Sequence, residues 1–163
     1  MKGSARAIPF ALTAVLTGCL PWPHQVETAP RLSGKIIRDG APVSGVRVRL
    51  SENVMQDAAE KVEVASDTDG RFEIGPIRRL VWFVHVPVLV AKDGAPVWGL
   101  QLKESGQPWV PGWTPDLLAI GYTPKDPLFA NCDLSADKLA DEIHGALLRG
   151  TGKCDLLIGQ PKE

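Results

Sequence analysis

The sequence predicts a mainly β protein with a single helix near its C-terminal end. Among its 163 residues are 16 glycines and 14 prolines, which divide it into short segments joined by turns. Several of these segments alternate apolar and polar residues, as a strand with one buried face does. The length suits one domain with its own core.

The first residues have the character of an export leader. Lys2 and Arg6 give a positive start, and residues 7–16 form an apolar run too short to cross a bilayer core of about 30 Å. The following Leu-Thr-Gly-Cys resembles the lipobox of bacterial lipoproteins, with a small residue before the cleavage point and Cys19 as the lipidated thiol. We therefore expect a lipoprotein signal peptide over 1–18. An ordinary secretory leader, or a buried N-terminal strand, with a chance cysteine is the alternative.

Residues 19–33 are expected to form a lipidated, proline-rich tether that leads to one domain over 34–163. Pro21, Pro23 and Pro30 interrupt this segment, and it has little apolar periodicity. Several acyl chains on Cys19 would hold the protein stably at a membrane in the cell envelope, facing the periplasm. In Gram-negative lipoproteins, a residue other than aspartate after the cysteine, here Leu20, usually accompanies transfer to the outer membrane.

Two turns with flanking strands are expected in the first half of the domain. In VRVRL, Val46, Val48 and Leu50 alternate with arginines, and residues 35–38 are expected to pair with this strand through the turn DGAP. The turn DTDG, residues 67–70, is expected to join two further strands.

The middle of the chain contains its most apolar stretch. Residues 80–91 are apolar on both faces, which predicts a central strand or two strands broken at Pro87. A second DGAPV, residues 93–97, precedes a strand in which Trp98, Leu100 and Leu102 alternate with other residues. We interpret the repeated pentapeptide as the same kind of turn used at two places in one sheet system, and not as a duplicated domain.

The segments SGKIIRDGAPVSGVRVRLSEN and ASDTDGRFEIGPI resemble the carboxypeptidase regulatory-like, or transthyretin-like, domain. The resemblance covers about residues 32–103, and the matching positions are Gly34, Pro42, Gly45, Thr68, Asp69, Gly70 and Phe72. It implies an antiparallel β-sandwich of about seven strands in a prealbumin-like arrangement. Such modules usually serve packing, presentation or binding, and not catalysis.

The C-terminal third is expected to contain a helix and a disulfide. Residues 136–148 have apolar side chains at helical spacing, with Ser135 as N-cap and Gly150 at the end. With Cys19 assigned to lipid, Cys132 and Cys154 are expected to form a disulfide, because an exported protein meets an oxidising compartment. Two free, buried cysteines are the alternative.

Composition and motifs disfavour several classes of function. The 18 basic and 19 acidic residues give a net charge of −1, which offers no reason to propose nucleic acid as a partner. The histidines and cysteines have no spacing typical of a metal site, and DTDG lacks the later ligands of a calcium loop. Tyr122 is the only tyrosine, which disfavours an intradiol dioxygenase or a hydroxyisourate hydrolase. We expect no cofactor and no catalytic residues.

Tryptophans provide the strongest binding signal. Trp98, Trp109 and Trp113 lie near glycines and prolines, so they could stack on sugar rings or a partner protein, or else fill the core. The leading hypothesis is a noncatalytic envelope lipoprotein with a structural or protein-interaction role. An envelope glycan-binding protein that uses these tryptophans is the second hypothesis, and an enzyme with an unrecognised site is the third.

Overall fold

The computed structural model describes residues 23–81, 97–116, 123–135, 138–142 and 149–159. These ranges form strands and turns, and they contain no helix that could cross a membrane. The thirteen strands are, in chain order, β1 (His24–Ala29), β2 (Leu32–Arg38), β3 (Ala41–Pro42), β4 (Arg47–Ser51), β5 (Lys61–Ala65), β6 (Arg71–Ile74), β7 (Ile77–Val81), β8 (Gly99–Lys103), β9 (Val110–Pro115), β10 (Leu128–Asp133), β11 (Lys138–Glu142), β12 (Arg149–Gly152) and β13 (Cys154–Ile158).

The strands form two large sheets and one two-stranded ribbon. One sheet has the order β13-β10-β2-β3, with β6 also paired to β2, and the other has the order β11-β12-β9-β8-β4-β5. Among the described strands, β1 and β7 pair only with each other. The predicted mainly β fold is confirmed. The expectation of wholly antiparallel pairing is wrong at one place, because β10 runs parallel to β2.

A single apolar core joins the two large sheets in a sandwich-like arrangement. Alternating side chains of β4 and β8 point inward, as the sequence predicts, and meet inward side chains of β2, β6 and β10. The fully buried members of this core include Leu32, Ile36, Val48, Leu50, Leu100, Leu102, Leu128 and Ala130.

The predicted pairing of residues 35–38 with VRVRL is wrong. Strand β2 instead pairs with the short β3, through a turn in which Asp39 and Gly40 have positive φ. The chain then crosses to the other sheet, where β4 lies between β5 and β8. Ser66 stabilises this crossing, because its hydroxyl accepts from Val46 N–H at 3.1 Å and donates to Val43 C=O at 2.9 Å.

The predicted DTDG turn is confirmed, but it also connects different sheets. The Asp67 carboxylate accepts hydrogen bonds from the N–H groups of Asp69 and Arg71 at 2.9 and 2.8 Å. The strand before the turn, β5, pairs with β4, whereas β6 after the turn pairs with β2. The two strands that flank this turn therefore pair with other strands and not with each other.

The predicted helix over 136–148 is not found in the described part of the chain. Residues Lys138–Glu142 form β11, which pairs with β12, while 136–137 and 143–148 lie outside the described residues. Strand β12 also pairs with β9, so β11 extends an existing sheet. Hydrogen bonding to a sheet edge overrides the helical spacing, since a short helix is marginal without strong packing.

Strand structure begins before residue 34, inside the stretch 19–33 that the sequence predicts to be a tether. Residues His24–Ala29 form β1, which pairs with β7, and Ala29 and Leu32 are fully buried. At the other end of this pair, Leu80 is exposed instead of lying at the centre of the core. Most of the apolar stretch 80–91, and the second DGAPV except Val97, lie outside the described residues.

Candidate functional site

The two cysteine predictions have different outcomes. Cys132 and Cys154 form a disulfide, so that prediction is confirmed. The two residues are register partners on β10 and β13, which brings their side chains to the same face of neighbouring strands, and both are buried. Cys19, the predicted lipidation site, lies outside the described residues.

Trp98 and Trp113 belong to the core, which is the second of the two alternatives that the sequence leaves open for them. Their rings stack with centroids 4.6 Å apart, and each residue is 1% exposed. Gly150 of β12 leaves room for the Trp113 ring, because a Cβ at position 150 would clash with the indole. Stacking and burial within the protein occupy the flat faces that a sugar would need.

Trp109 is half-buried and lies on the outer side of the six-stranded sheet, just before β9. The guanidinium carbon of Arg49 is 3.7 Å from the centroid of the Trp109 ring. The guanidinium carbon of Arg47 lies 5.6 Å from this centroid, and the amine nitrogen of Lys103 lies 5.8 Å from it. These distances are those of cation–π contacts. The protein's own arginine therefore covers this ring, which does not form a free stacking platform with Trp98 and Trp113.

Glu63 connects the two arginines of this cluster. Arg49 Nε donates to its carboxylate at 2.7 Å, and Arg47 makes a second ion pair with it. Burial alone would raise the pKa of Glu63, but the hydrogen bonds and charges of Arg49 and Arg47 outweigh that effect and lower the pKa below its ordinary value of 4.5. We call Arg47, Arg49, Glu63, Lys103 and Trp109 the cationic cluster.

A broad groove of about 1100 Å³ lies along the five-stranded sheet. It is lined by side chains of β2, β6 and β10, among them Lys35, Arg71, Phe129 and Asn131. Lys35 and Arg71 are register partners, so two cations face each other across neighbouring strands. The groove is open and mixed in polarity, in contrast to the deep apolar pockets that usually bind small molecules.

Several glutamates of the described residues form ion pairs with arginines. Glu52 is buried, pairs with Arg79 and accepts a hydrogen bond from Glu60 N–H at 3.2 Å. Glu27 pairs with Arg78 at 2.8 Å. Within the described ranges, no three His, Cys, Asp or Glu side chains converge as metal ligands, and every buried side-chain nitrogen and oxygen has a hydrogen-bond partner.

The cationic cluster was not predicted from the sequence as a unit. The alternation in VRVRL places Arg47 and Arg49 on one face, but only the register identifies Glu63 as the residue opposite Arg49 and Lys103 as the residue opposite Arg47.

No family model, curated protein or solved structure matches this chain.

Proposed function

We propose that the protein is a noncatalytic envelope lipoprotein, attached to a membrane through Cys19, whose β domain has a structural or protein-interaction role. The Cys132–Cys154 disulfide is the observation that supports this proposal most directly, because structural disulfides persist in exported proteins and are rare in the cytosol. The Leu-Thr-Gly-Cys motif after an apolar leader supports it independently.

The distribution of charge supports a role other than catalysis. A general base needs a carboxylate or imidazole with a pKa near the working pH and a free approach to substrate. Glu63 has a lowered pKa and is held by two arginines, and the buried Glu52 is held by Arg79. These groups are typical of cross-strand stabilisation.

We further propose that the two sheets form a prealbumin-like sandwich of the carboxypeptidase regulatory-like type. The motif glycines support this assignment by their environment. A Cβ on Gly34 would lie 2.6 Å from the Phe72 ring, and Gly70 has a φ of 72° beneath β2. An experimental structure whose strand order differs from that of transthyretin-like domains would contradict the assignment.

Metabolic labelling with a palmitate analogue tests the proposed attachment. The wild-type protein should take up the label and partition with membranes, whereas Cys19→Ser should lose the label and leave the membrane fraction. The matched control is Cys132→Ala/Cys154→Ala, which removes the other two cysteines and should keep the label. Undiminished labelling of the Cys19→Ser variant would contradict the proposal.

A further inference from the structure

The chain between the proposed lipid and the folded domain is short. Strand β1 begins at His24, so only residues 20–23 separate it from Cys19. Five Cα–Cα steps span at most about 17 Å, whereas a tether that ended at residue 33 would span about 50 Å. The headgroup layer of one leaflet is about 5–7 Å thick, so the start of β1 would lie close to the membrane surface.

Strand β1 is firmly joined to the domain. It pairs with β7 along its length, Arg78 donates to Glu27 at 2.8 Å, and Ala29 is fully buried. The ribbon that β1 and β7 form is tied to the six-stranded sheet, because Arg79 pairs with the buried Glu52 just after β4. A longer tether would require the loss of these interactions.

The ribbon presents apolar and cationic side chains near the proposed attachment point. His24 pairs with Val81, so this end of the ribbon lies nearest to Cys19 along the chain. Leu80 is 53% exposed and Val26 is 39% exposed. Arg78 and Arg79 are also exposed, but their guanidinium groups pair with Glu27 and Glu52, so the apolar side chains are the ones this end offers to lipid.

The register fixes how the ribbon could meet a membrane. Leu80 is opposite Gln25, and Val26 is opposite Arg79. Directly opposed residues share a face and adjacent residues alternate, so Leu80 and Val26 lie on opposite faces of the ribbon. Both side chains can contact headgroups only when the His24/Val81 end points toward the bilayer.

We propose that the His24/Val81 end of the β1–β7 ribbon docks on the lipid headgroup layer, with Leu80 and Val26 on its two sides. This inference rests on the proposed lipidation of Cys19, and it adds a second contact between the protein and its membrane. The domain is then held in a defined orientation, with the β8–β9 turn pointing away from the bilayer.

Site-specific fluorescence on the lipidated, full-length protein tests the orientation. Leu80→Cys and Ser105→Cys are each labelled with an environment-sensitive fluorophore, with the native disulfide left oxidised. The proteins are then placed in vesicles of phosphatidylethanolamine and phosphatidylglycerol. Ser105 is the matched control, because it is exposed and follows β8, a strand roughly 14 Å long, at the end opposite Glu52.

Nitroxide-labelled headgroups should quench the label at position 80 several-fold more than the label at position 105. A six-residue Gly-Ser insertion between Pro21 and Trp22 should reduce that difference if the short linker holds the ribbon at the surface. Equal quenching at both positions in lipidated protein would overturn the docking inference alone. Protein recovered without lipid on Cys19 would overturn the proposed function and this inference with it.

Discussion

At the residue scale, the outer face of the six-stranded sheet is stabilised by charges that neighbouring strands bring together. Arg47 and Arg49 of β4 share the carboxylate of Glu63 on β5, and Arg49 also covers the Trp109 ring. Ion pairs on a protein surface contribute little singly, but geometry and a shared partner increase their contribution. Glu63 is the residue on which this cluster depends, since it is the carboxylate that both arginines contact.

The effect of Glu63→Gln on the free energy of unfolding, measured as a function of pH, tests the cationic cluster. Because the folded-state pKa of Glu63 is lowered, its ion pairs stabilise the fold above pH 4.5 and lose that effect as the pH falls through the folded-state pKa. At neutral pH, the variant should lower the free energy of unfolding by about 0.5–1 kcal/mol. This loss should shrink in acid, as measured by urea denaturation at both pH values.

The exposed Glu60 provides the matched control for that measurement. Glu60→Gln removes a carboxylate three residues away, and it should change the free energy of unfolding much less at either pH. A loss for Glu63→Gln that is the same in acid and at neutral pH would contradict the ion-pair account.

The tryptophans allow a second comparison between single residues. Trp113→Ala removes a fully buried ring that stacks on Trp98, and it should lower the free energy of unfolding by about 3–5 kcal/mol. Trp109→Ala removes a half-buried ring with exposed cation–π contacts, and it should cost about 1 kcal/mol. Equal losses in urea denaturation would contradict the distinction between a core ring and a surface ring.

At the scale of elements, local strand pairs such as β4–β5 and β8–β9 alternate with connections that cross from one sheet to another. The Asp39–Gly40 turn joins β2 to β3 as a local pair, whereas the strands on either side of the Asp67–Gly70 turn pair with strands of different sheets. The disulfide acts at this scale too. It joins β10 and β13 and closes the part of the chain that contains β11 and β12.

Removing the disulfide should destabilise the fold by a loop-closure effect. Cys132 and Cys154 are 22 residues apart in sequence, and Cys132→Ala/Cys154→Ala should lower the free energy of unfolding by about 3 kcal/mol. Urea denaturation of a soluble form, with Cys19→Ser as the common background, measures this loss. A loss below about 1 kcal/mol would show that the bond constrains the unfolded chain little.

At the scale of the whole molecule, the strands with clear alternation could be predicted, while the partners of each strand could not. VRVRL and WGLQLK alternate because one face of each lies on the core, and their buried residues follow that pattern. Strand β9 was not predicted, because Pro111 and Pro115 interrupt it. It pairs with β8 through a register shift that accommodates the irregularity. Strand β1 could not be predicted because its partner β7 is far along the chain, and β11 could not because its apolar residues also fit helical spacing.

The candidate site was less predictable than the fold for a related physical reason. A tryptophan near glycine and proline has the same local sequence whether it is exposed or buried. Gly150, which is far from Trp113 in sequence, provides the space that buries its ring. The disulfide was predictable because the expected export and the number of cysteines limited the pairings.

The central claim is that this β domain is held at a membrane by lipid on Cys19, through a linker of four residues. Mass spectrometry of the mature N-terminal peptide, isolated from membranes of the native host, tests it most directly. We predict a peptide that begins at Cys19 and has the added mass of a diacylglyceryl group. An unmodified peptide that still spans Gly18 and Cys19 would contradict the claim.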